Sequence, residues 1–324
     1  IGVAAALATR MAWPARPPVA TTVRTTPAPH LVTEDGQGLI AVVNTGAGGG
    51  DTVARLLERE LPAAEIVQAG PDDDLAKLLD EAAARARVLA VAGGDGTVNA
   101  GAQAALRHDV PLLTVPGGTL DHFSRAVGIE HPADAVTAYR AARLTRVDVG
   151  TIRQPGEDDL VFLNTASFGA YAELVDRRER LEHRIGKWPA TAVAALRTFR
   201  HSEPVQVVVD GRPRRVWLAF VGNGAYGSRG PAPTWRRRLD DGRFDIRMVT
   251  TARRVPRLRA LAAVLAGHLH LTPGYSHWNA TSLTLGTSGG DLRVARDGET
   301  RTMTPTLEFR KWPASLAVFR MPGE

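Results

Sequence analysis

The sequence predicts an α/β fold, with an N-terminal doubly wound parallel sheet and a C-terminal antiparallel, β-rich, sandwich-like domain. Over residues 38–148, short apolar runs alternate with helical patterns, which is typical of a parallel sheet. Over residues 149–311, closely spaced strand patterns follow one another through Asp-Gly and Gly-Gly turns, which favours antiparallel pairing. Residues 1–37 show neither pattern and are rich in Pro and Thr, so we expect a linker there.

Four strand patterns, most of them followed by a helical pattern, make up the first domain. The strand patterns are LIAVVN, AEIVQAG, RVLAVAGGDG and VPLLTVPGG. In the first helix Val53, Leu57 and Leu61 recur at helical spacing, and we expect Asp51 to be its N-cap. The last strand of the chain, about residues 312–324, is a candidate for returning to this domain.

The second domain is predicted to contain two helices among its strands. A long basic helical pattern covers residues 172–200, and another covers residues 253–271. Asp210-Gly211 reads as an ordinary hairpin turn between two strands. Asp241-Gly242 and Asp297-Gly298 fit turns as well, but a carboxylate placed for chemistry is an open alternative at both.

Composition excludes several kinds of site. The chain has 324 residues and no cysteine, so disulfides, thiolate zinc sites and thiol nucleophiles are ruled out. The net charge is +6 and the sequence pI about 10.2, which suggests an anionic partner such as nucleic acid, a membrane surface or a phosphorylated substrate. An Arg-rich surface without such a partner gives the same balance, so charge alone is a weak indication.

Three loops that follow strands of the first domain carry glycine or asparagine. They are VVNTGAGGG, VAGGDGTVN and TVPGGTLDHF. Because the carboxyl ends of parallel strands lie at one edge of a sheet, we expect these loops to meet in one crevice. Each loop alone could be a tight turn, but three at equivalent positions favour phosphate binding through backbone N–H groups.

Two common nucleotide motifs are not met. The GDGTVN stretch lacks the last glycine of the dinucleotide-binding fingerprint, and the chain contains no Gly-Lys-Ser/Thr of a P-loop. The hydride-transfer and P-loop interpretations therefore lose their specific signals.

Four signatures in the right order resemble the diacylglycerol kinase catalytic-domain family, over most of residues 38–320. They are Gly-Gly-Asp-Gly-Thr at 93–97, the loop at 116–125, the segment around Asp241-Gly242, and Asp-Gly-Glu at 297–299. The family includes bacterial soluble lipid kinases and is related to sphingosine kinases and NAD kinases. Three residues depart from its pattern, because Thr45 replaces a proline and Asp121-His122 replaces an Asn-Asp pair.

The resemblance implies an ATP site in the first domain, with Mg²⁺ accompanying the nucleotide. Asp95 is expected either to bind the nucleotide or to help hold the metal. The implied cofactor-binding residues are Asn44, Thr45, Gly93, Gly94, Asp95, Gly96, Thr97, Gly118 and Thr119.

The resemblance also implies residues of the second domain. Asp297, paired with Glu299, is implied as the general base toward a lipid hydroxyl. Asp241 is implied to hold a Mg²⁺ ion together with carbonyls near Arg238 and Arg243.

The expected function is an ATP-dependent lipid kinase acting on a diacylglycerol-like acceptor. The alternatives are a nucleotide-binding regulatory module without transfer activity and an NAD kinase-like enzyme. We expect a lipid substrate, transient contact with an anionic membrane surface and no nucleic acid, and a homodimer is left open. The expected location is cytoplasmic, peripheral to or tethered at the inner face of the plasma membrane, with residues 1–37 as a candidate tail of an upstream membrane segment.

Overall fold

A computed structural model describes residues 24–46, 49–118, 120–170, 203–227, 236–250, 269–287 and 290–322. Sixteen strands and five α-helices occur in these residues. The strands are β1 (Thr25–Pro27), β2 (Leu39–Asn44), β3 (Glu65–Ala69), β4 (Val88–Gly93), β5 (Leu112–Pro116), β6 (Arg143–Arg153), β7 (Leu160–Phe162), β8 (Thr165–Gly169), β9 (Val205–Val209), β10 (Arg212–Gly222), β11 (Phe244–Thr250), β12 (Tyr275–Ala280), β13 (Ser282–Thr287), β14 (Leu292–Arg296), β15 (Glu299–Met303) and β16 (Thr306–Phe319). The helices are α1 (Gly50–Glu60), α2 (Leu75–Arg85), α3 (Asp95–His108), α4 (His122–Ala126) and α5 (Pro132–Ala141), with short 3-10 helices at Pro29–Leu31 and Leu269–Leu271.

The first domain is built on a parallel sheet in the order β3-β2-β4-β5, so the predicted fold class is confirmed. The β2 and β4 strands are almost wholly buried, and they are apolar except for Asn44 at the end of β2, as expected for central strands covered on both faces. Helices α1, α2, α3 and α5 bury their apolar faces against the sheet through residues such as Leu57, Leu79 and Tyr139.

The second domain is antiparallel, as predicted. Its strands continue the sheet in the order β15-β14-β8-β10-β9-β13-β16, and β11 and β12 extend it beside β10. A second hydrophobic core lies here, in which the rings of Phe162 and Phe244 stack at 5.7 Å and Phe309 meets Phe162 edge-on at 6.3 Å. Such aromatic packing contributes about 0.5–1.5 kcal/mol per pair beyond the buried area.

Strand β16 joins the two parts of the sheet. Val318 pairs in parallel with Leu112 of β5, while the earlier residues of β16 pair antiparallel with β13 and β6. The chain therefore returns to the parallel sheet at its C-terminal end. Strand β16 therefore belongs to both parts of the sheet.

The start of α1 differs from the prediction. Asp51 is not the N-cap of α1: the helix begins at Gly50, and Gly49 takes the N-cap position with φ 101°. That left-handed conformation suits glycine and places Asp51 in the first turn, where its charge complements the helix dipole. The predicted helix at 172–200, and all but the last three residues of the one at 253–271, lie outside the described residues. In the part of the chain that is described, no helix has the length and apolar character needed to cross a membrane.

Candidate functional site

The three glycine loops meet at the carboxyl edge of the parallel sheet, as predicted. Asn44, at the end of β2, donates from Nδ2 to Thr97 Oγ1 at 2.9 Å and accepts from Gly46 N at 3.0 Å. Gly117 N donates to Gly93 O at 3.1 Å, which joins the loop after β5 to the loop after β4. Asn44 therefore ties the first loop to the Gly-Gly-Asp-Gly-Thr loop and also fixes its own turn.

Thr45 is anchored to the neighbouring strand. Its backbone N and its Oγ1 both donate to Ala69 O, at 2.9 and 3.0 Å. The hydroxyl keeps its acceptor lone pairs, so it can still receive a hydrogen bond from a ligand. Thr119 lies outside the described residues.

Close backbone packing explains why the loops need glycine. A Cβ on Gly118 would lie 2.6 Å from the Cα of Gly94, and a Cβ on Gly93 would lie 2.7 Å from Thr97 Oγ1. The Gly94–Gly118 contact is between backbones, so a side chain could enter only if a loop moved. The two backbones therefore approach each other closely at the strand ends, which is the edge of the sheet where a phosphate could bind.

Asp95 is the first residue of α3 and is half-buried beneath the third loop. Its Oδ1 accepts from Phe123 N, at the start of α4, over 3.4 Å. Burial, together with the negative charges of Asp297 and Asp121, raises the pKa of Asp95 to about 7. A carboxyl group with this pKa can change protonation state near neutral pH, which is common at functional sites.

Asp121, one of the residues that depart from the pattern of the resemblance, is almost wholly buried. It has φ 47°, and its Oδ1 accepts from Gly118 N at 3.0 Å. Burial raises the pKa of Asp121. Asp121 thus holds the third loop in the shape that brings Gly118 against Gly94.

Asp297 is both a turn residue and a buried carboxylate. Asp297 and Gly298 have φ 45° and 98°, so the predicted two-residue hairpin turn between β14 and β15 is present. The carboxylate turns inward and accepts three backbone hydrogen bonds, from Leu163 N at 2.7 Å, Asn164 N at 2.8 Å and Thr165 N at 2.7 Å. Burial raises the pKa of Asp297, and these three N–H donors act against that rise.

The tip of this hairpin faces the Gly-Gly-Asp-Gly-Thr loop. The side chain of Glu299 lies against Gly96, so closely that a Cβ on Gly96 would collide with the Glu299 carboxylate. The negative charge of Asp297 also raises the pKa of Asp95. The structure thus brings together Asp297, Glu299, Asp95 and Gly96, which the sequence places about 200 residues apart along the chain.

Asp241 lies elsewhere, at the junction of β6, β16 and the loop before β11. Its Oδ2 accepts from Ala225 N at 2.7 Å, and its Oδ1 accepts from Arg243 N at 3.2 Å. The ammonium of Lys311 lies 3.9 Å from Asp241 Oδ1 and 3.3 Å from Asp148 Oδ2. Burial lowers the pKa of Lys311 to about 8, while the charges of Asp148 and Asp241 oppose that change, so the amine is mainly protonated at pH 7.

The residues around Asp241 do not fit a bound Mg²⁺ ion. Mg²⁺ prefers six oxygen ligands at about 2.0–2.1 Å, whereas here a protonated amine faces the two carboxylates. Among the described residues, no group of three or more His, Asp or Glu side chains is placed to hold a metal.

Sequence reasoning missed Lys311, Asp148 and Asn223. Lys311 could have been noticed, because it shares a strand face with the apolar residues Leu307 and Phe309 and so points inward. Asp148 and Asn223 carry no such signal, since their partners lie about 60 to 170 residues away along the chain.

Comparison with known proteins finds two family models along the chain. The family model described as "Diacylglycerol kinase catalytic domain" matches residues 39–152. The model described as "YegS C-terminal NAD kinase beta sandwich-like domain" matches residues 165–320. A diacylglycerol kinase of Mycobacterium tuberculosis is 28% identical over 276 residues, which are 83% of this chain and 88% of that protein.

Two solved structures from Bacillus anthracis strain Sterne are also similar. A candidate diacylglycerol kinase is 26% identical with a TM-score of 0.64, over 90% of this chain and 99% of the other. A diacylglycerol kinase is 20% identical with a TM-score of 0.61, over 90% and 98% of the two chains, and supports the fold alone. The chain belongs to the diacylglycerol kinase catalytic-domain family.

Proposed function

We propose that this protein is an ATP-dependent lipid kinase that transfers the γ-phosphate of ATP to the hydroxyl of a diacylglycerol-like acceptor. Membership of a kinase family implies the use of ATP. The relative named a diacylglycerol kinase, which matches most of the chain, supports the choice of acceptor.

The observation that carries the proposal is the meeting of the Asp-Gly-Glu hairpin with the Gly-Gly-Asp-Gly-Thr loop. Glu299 contacts Gly96, and the charge of Asp297 acts on Asp95. A phosphate held by the glycine loops would therefore lie close to a buried carboxylate from the other domain. Phosphoryl transfer needs this arrangement of positioned phosphate and nearby base more than it needs a strong base.

In the proposed reaction the lipid hydroxyl oxygen attacks the γ-phosphorus in line with the β–γ bridging oxygen. A new P–O bond forms to the lipid, the bond to the β-phosphate breaks, and ADP leaves with that electron pair. The hydroxyl proton passes to Asp297, whose Oδ2 accepts only one N–H, from Leu163, among the described residues. The raised pKa of Asp297 makes it a better proton acceptor than an exposed aspartate.

The remaining residues are proposed to bind and orient the nucleotide. Backbone N–H groups of Gly93, Gly94 and Gly96 would approach the phosphates, and Thr45 and Thr97 would supply hydroxyls. Mg²⁺ would arrive with ATP as part of the substrate and neutralise charge on its phosphates. When the nucleotide cation is bound, its positive charge would favour the ionised form of Asp95.

Contact with a membrane remains part of the proposal, because a diacylglycerol-like acceptor resides in a bilayer. The basic segment at 172–200 is the candidate contact, and it lies outside the described residues. Basic side chains near an anionic surface contribute about 1 kcal/mol each. A location at the inner face of the plasma membrane belongs to the same proposal.

The experiment is transfer of labelled γ-phosphate from ATP to a panel of acceptors, including diacylglycerol, monoacylglycerol, sphingosine and NAD. Label in a lipid supports the proposal, and label in NAD alone would favour an NAD kinase-like enzyme, as the name of the second matched domain suggests. Retained ATP binding with no labelled product would favour a nucleotide-binding regulatory module without transfer activity. The altered pair Asp121-His122 motivates that last alternative.

A further inference from the structure

The ammonium of Lys311 lies inside the protein, with only 1% of the side chain exposed. A lysine is almost never buried to this extent unless its charge is paired. The side chain comes from the middle of β16, the strand that joins the two parts of the sheet. Its charge therefore lies at the junction between the domains and not at the protein surface.

Among the described residues, three oxygen atoms lie near the ammonium. Nζ donates to Asn223 Oδ1 at 2.5 Å and lies 3.3 Å from Asp148 Oδ2 and 3.9 Å from Asp241 Oδ1. The ring of Phe244 completes the surroundings, with its centroid 5.4 Å from Nζ. Two carboxylates, an amide oxygen and an aromatic face form a site for one positive charge.

The carboxylates of this site are held by backbone N–H groups of separate segments. Asp148 accepts from Gly242 N at 2.7 Å and from Ala314 N at 2.8 Å. Asp241 accepts from Ala225 N at 2.7 Å. The loop before β11, the bulge of β16 and the turn after β10 thus all converge on two negative charges, of which Asp148 is buried and Asp241 partly exposed, and a cation between them offsets the cost of burying Asp148.

We propose that Lys311 is a built-in cation that takes the place of a metal ion between Asp148 and Asp241, so that the domain junction is held without divalent metal. The geometry supports this assignment because oxygen atoms of the kind that hard cations prefer face one protonated amine. The inference concerns the junction and does not depend on the proposed kinase activity.

Asn223 links this site to the candidate catalytic hairpin. Its Oδ1 accepts from Lys311, so its Nδ2 is free to donate to Asp148 O at 2.9 Å and to Leu163 O at 2.8 Å. The backbone N of Leu163 in turn donates to Asp297. A second buried cation, Arg236, contacts Asn223 O and donates to Asn164 Oδ1 at 3.3 Å. The built-in cation therefore supports the loop that holds Asp297.

The first test uses the unchanged protein without nucleotide. Thermal unfolding is recorded in EDTA and in millimolar Mg²⁺ or Ca²⁺, and the metal content of the purified protein is measured. The proposal predicts the same Tm in all three solutions and no stoichiometric divalent metal. A Tm that falls in EDTA and recovers with Mg²⁺, or one tightly bound metal ion per chain, would overturn it.

The second test removes the ammonium group with the variant Lys311→Ala. Breaking a buried ion pair of this kind is expected to lower the Tm by about 6–15 °C. Mg²⁺ or Ca²⁺ should then restore part of the loss, because a cation can enter the space between the carboxylates. If neither ion raised the Tm of Lys311→Ala, the proposal that the amine takes the place of a metal ion would be contradicted.

A neighbouring residue provides the matched control. Arg310 is half-exposed and pairs with Glu308 at 2.7 Å on the same strand, so Arg310→Ala should change the Tm by only about 2 °C and show no response to metal. A Lys311→Ala protein as stable as Arg310→Ala would sink the proposal. If Lys311→Ala does not fold, the EDTA experiment on the unchanged protein decides alone.

Discussion

Replacing Asp297 by Asn tests the candidate base with little change of shape. Asparagine tolerates the φ of 45° at this position, so the hairpin turn should persist. The side-chain oxygen can keep the bonds from Asn164 and Thr165, but the new NH₂ group then faces Leu163 N–H. One buried N–H loses its acceptor, which should cost about 1–3 kcal/mol of folding free energy.

The loss of activity should be larger than the loss of stability explains. Removing a general base lowers the rate by about 10²- to 10⁴-fold, while ATP binding should stay near that of the unchanged protein because the glycine loops are intact. The assay is transfer of labelled γ-phosphate to diacylglycerol in vesicles, with ATP affinity measured by calorimetry below the Tm of the variant.

Asp210→Asn is the matched control for this variant. Asp210 also begins an Asp-Gly hairpin turn, with φ 46°, and its Oδ1 accepts from Thr284 N at 2.9 Å, but it is exposed and its turn lies beside β13. It should transfer phosphate normally. If Asp297→Asn turned over within about threefold of Asp210→Asn, Asp297 would have no role as a base.

Three further variants test other parts of the site. Gly118→Ala should weaken ATP binding at least about tenfold, because its Cβ meets the backbone of Gly94 at 2.6 Å, whereas Gly286→Ala, with its nearest contact at 3.7 Å, should bind normally in calorimetry. Asp95→Asn should raise the Tm of the nucleotide-free protein more at pH 8 than at pH 5. The pKa of Asp95 is about 7 in the folded protein, whereas its ordinary value is 3.8. The protonated carboxyl group therefore stabilises the fold at low pH, and up to about 4 kcal/mol of folding free energy is lost as the pH rises through 7. An equal Tm change at both pH values would refute this. Glu299→Ala should lower transfer while leaving the Tm within about 2 °C, because the side chain is 64% exposed, and normal transfer would show that its contact with Gly96 is incidental.

Local patterns predicted the parallel sheet and its glycine loops well. Apolar runs such as residues 39–43 and 88–92 are buried on both faces, so their composition alone indicates central parallel strands. The convergence of Asn44, Gly93 and Gly118 follows from topology, because parallel strands end at one edge. The Asp297-Gly298 turn was equally visible, since a type I′ turn favours this pair of residues.

Interactions between distant segments could not be predicted in the same way. The inward rotation of Asp297 depends on N–H groups of Leu163, Asn164 and Thr165, more than 130 residues earlier in the chain. The resemblance implied a metal at Asp241, but the presence of Lys311 beside it depends on how β16 crosses the junction. The N-cap of α1 was misplaced because a glycine with positive φ leaves no side-chain signal.

Phosphate transfer to lipid by the unchanged protein tests the central claim most directly. The protein is incubated with γ-labelled ATP, Mg²⁺ and vesicles that contain diacylglycerol, and the lipids are extracted and separated. The account predicts a labelled phospholipid that the unchanged protein and Asp210→Asn produce alike and that Asp297→Asn produces far more slowly. Binding of ATP with no labelled lipid from any acceptor in the panel would contradict it.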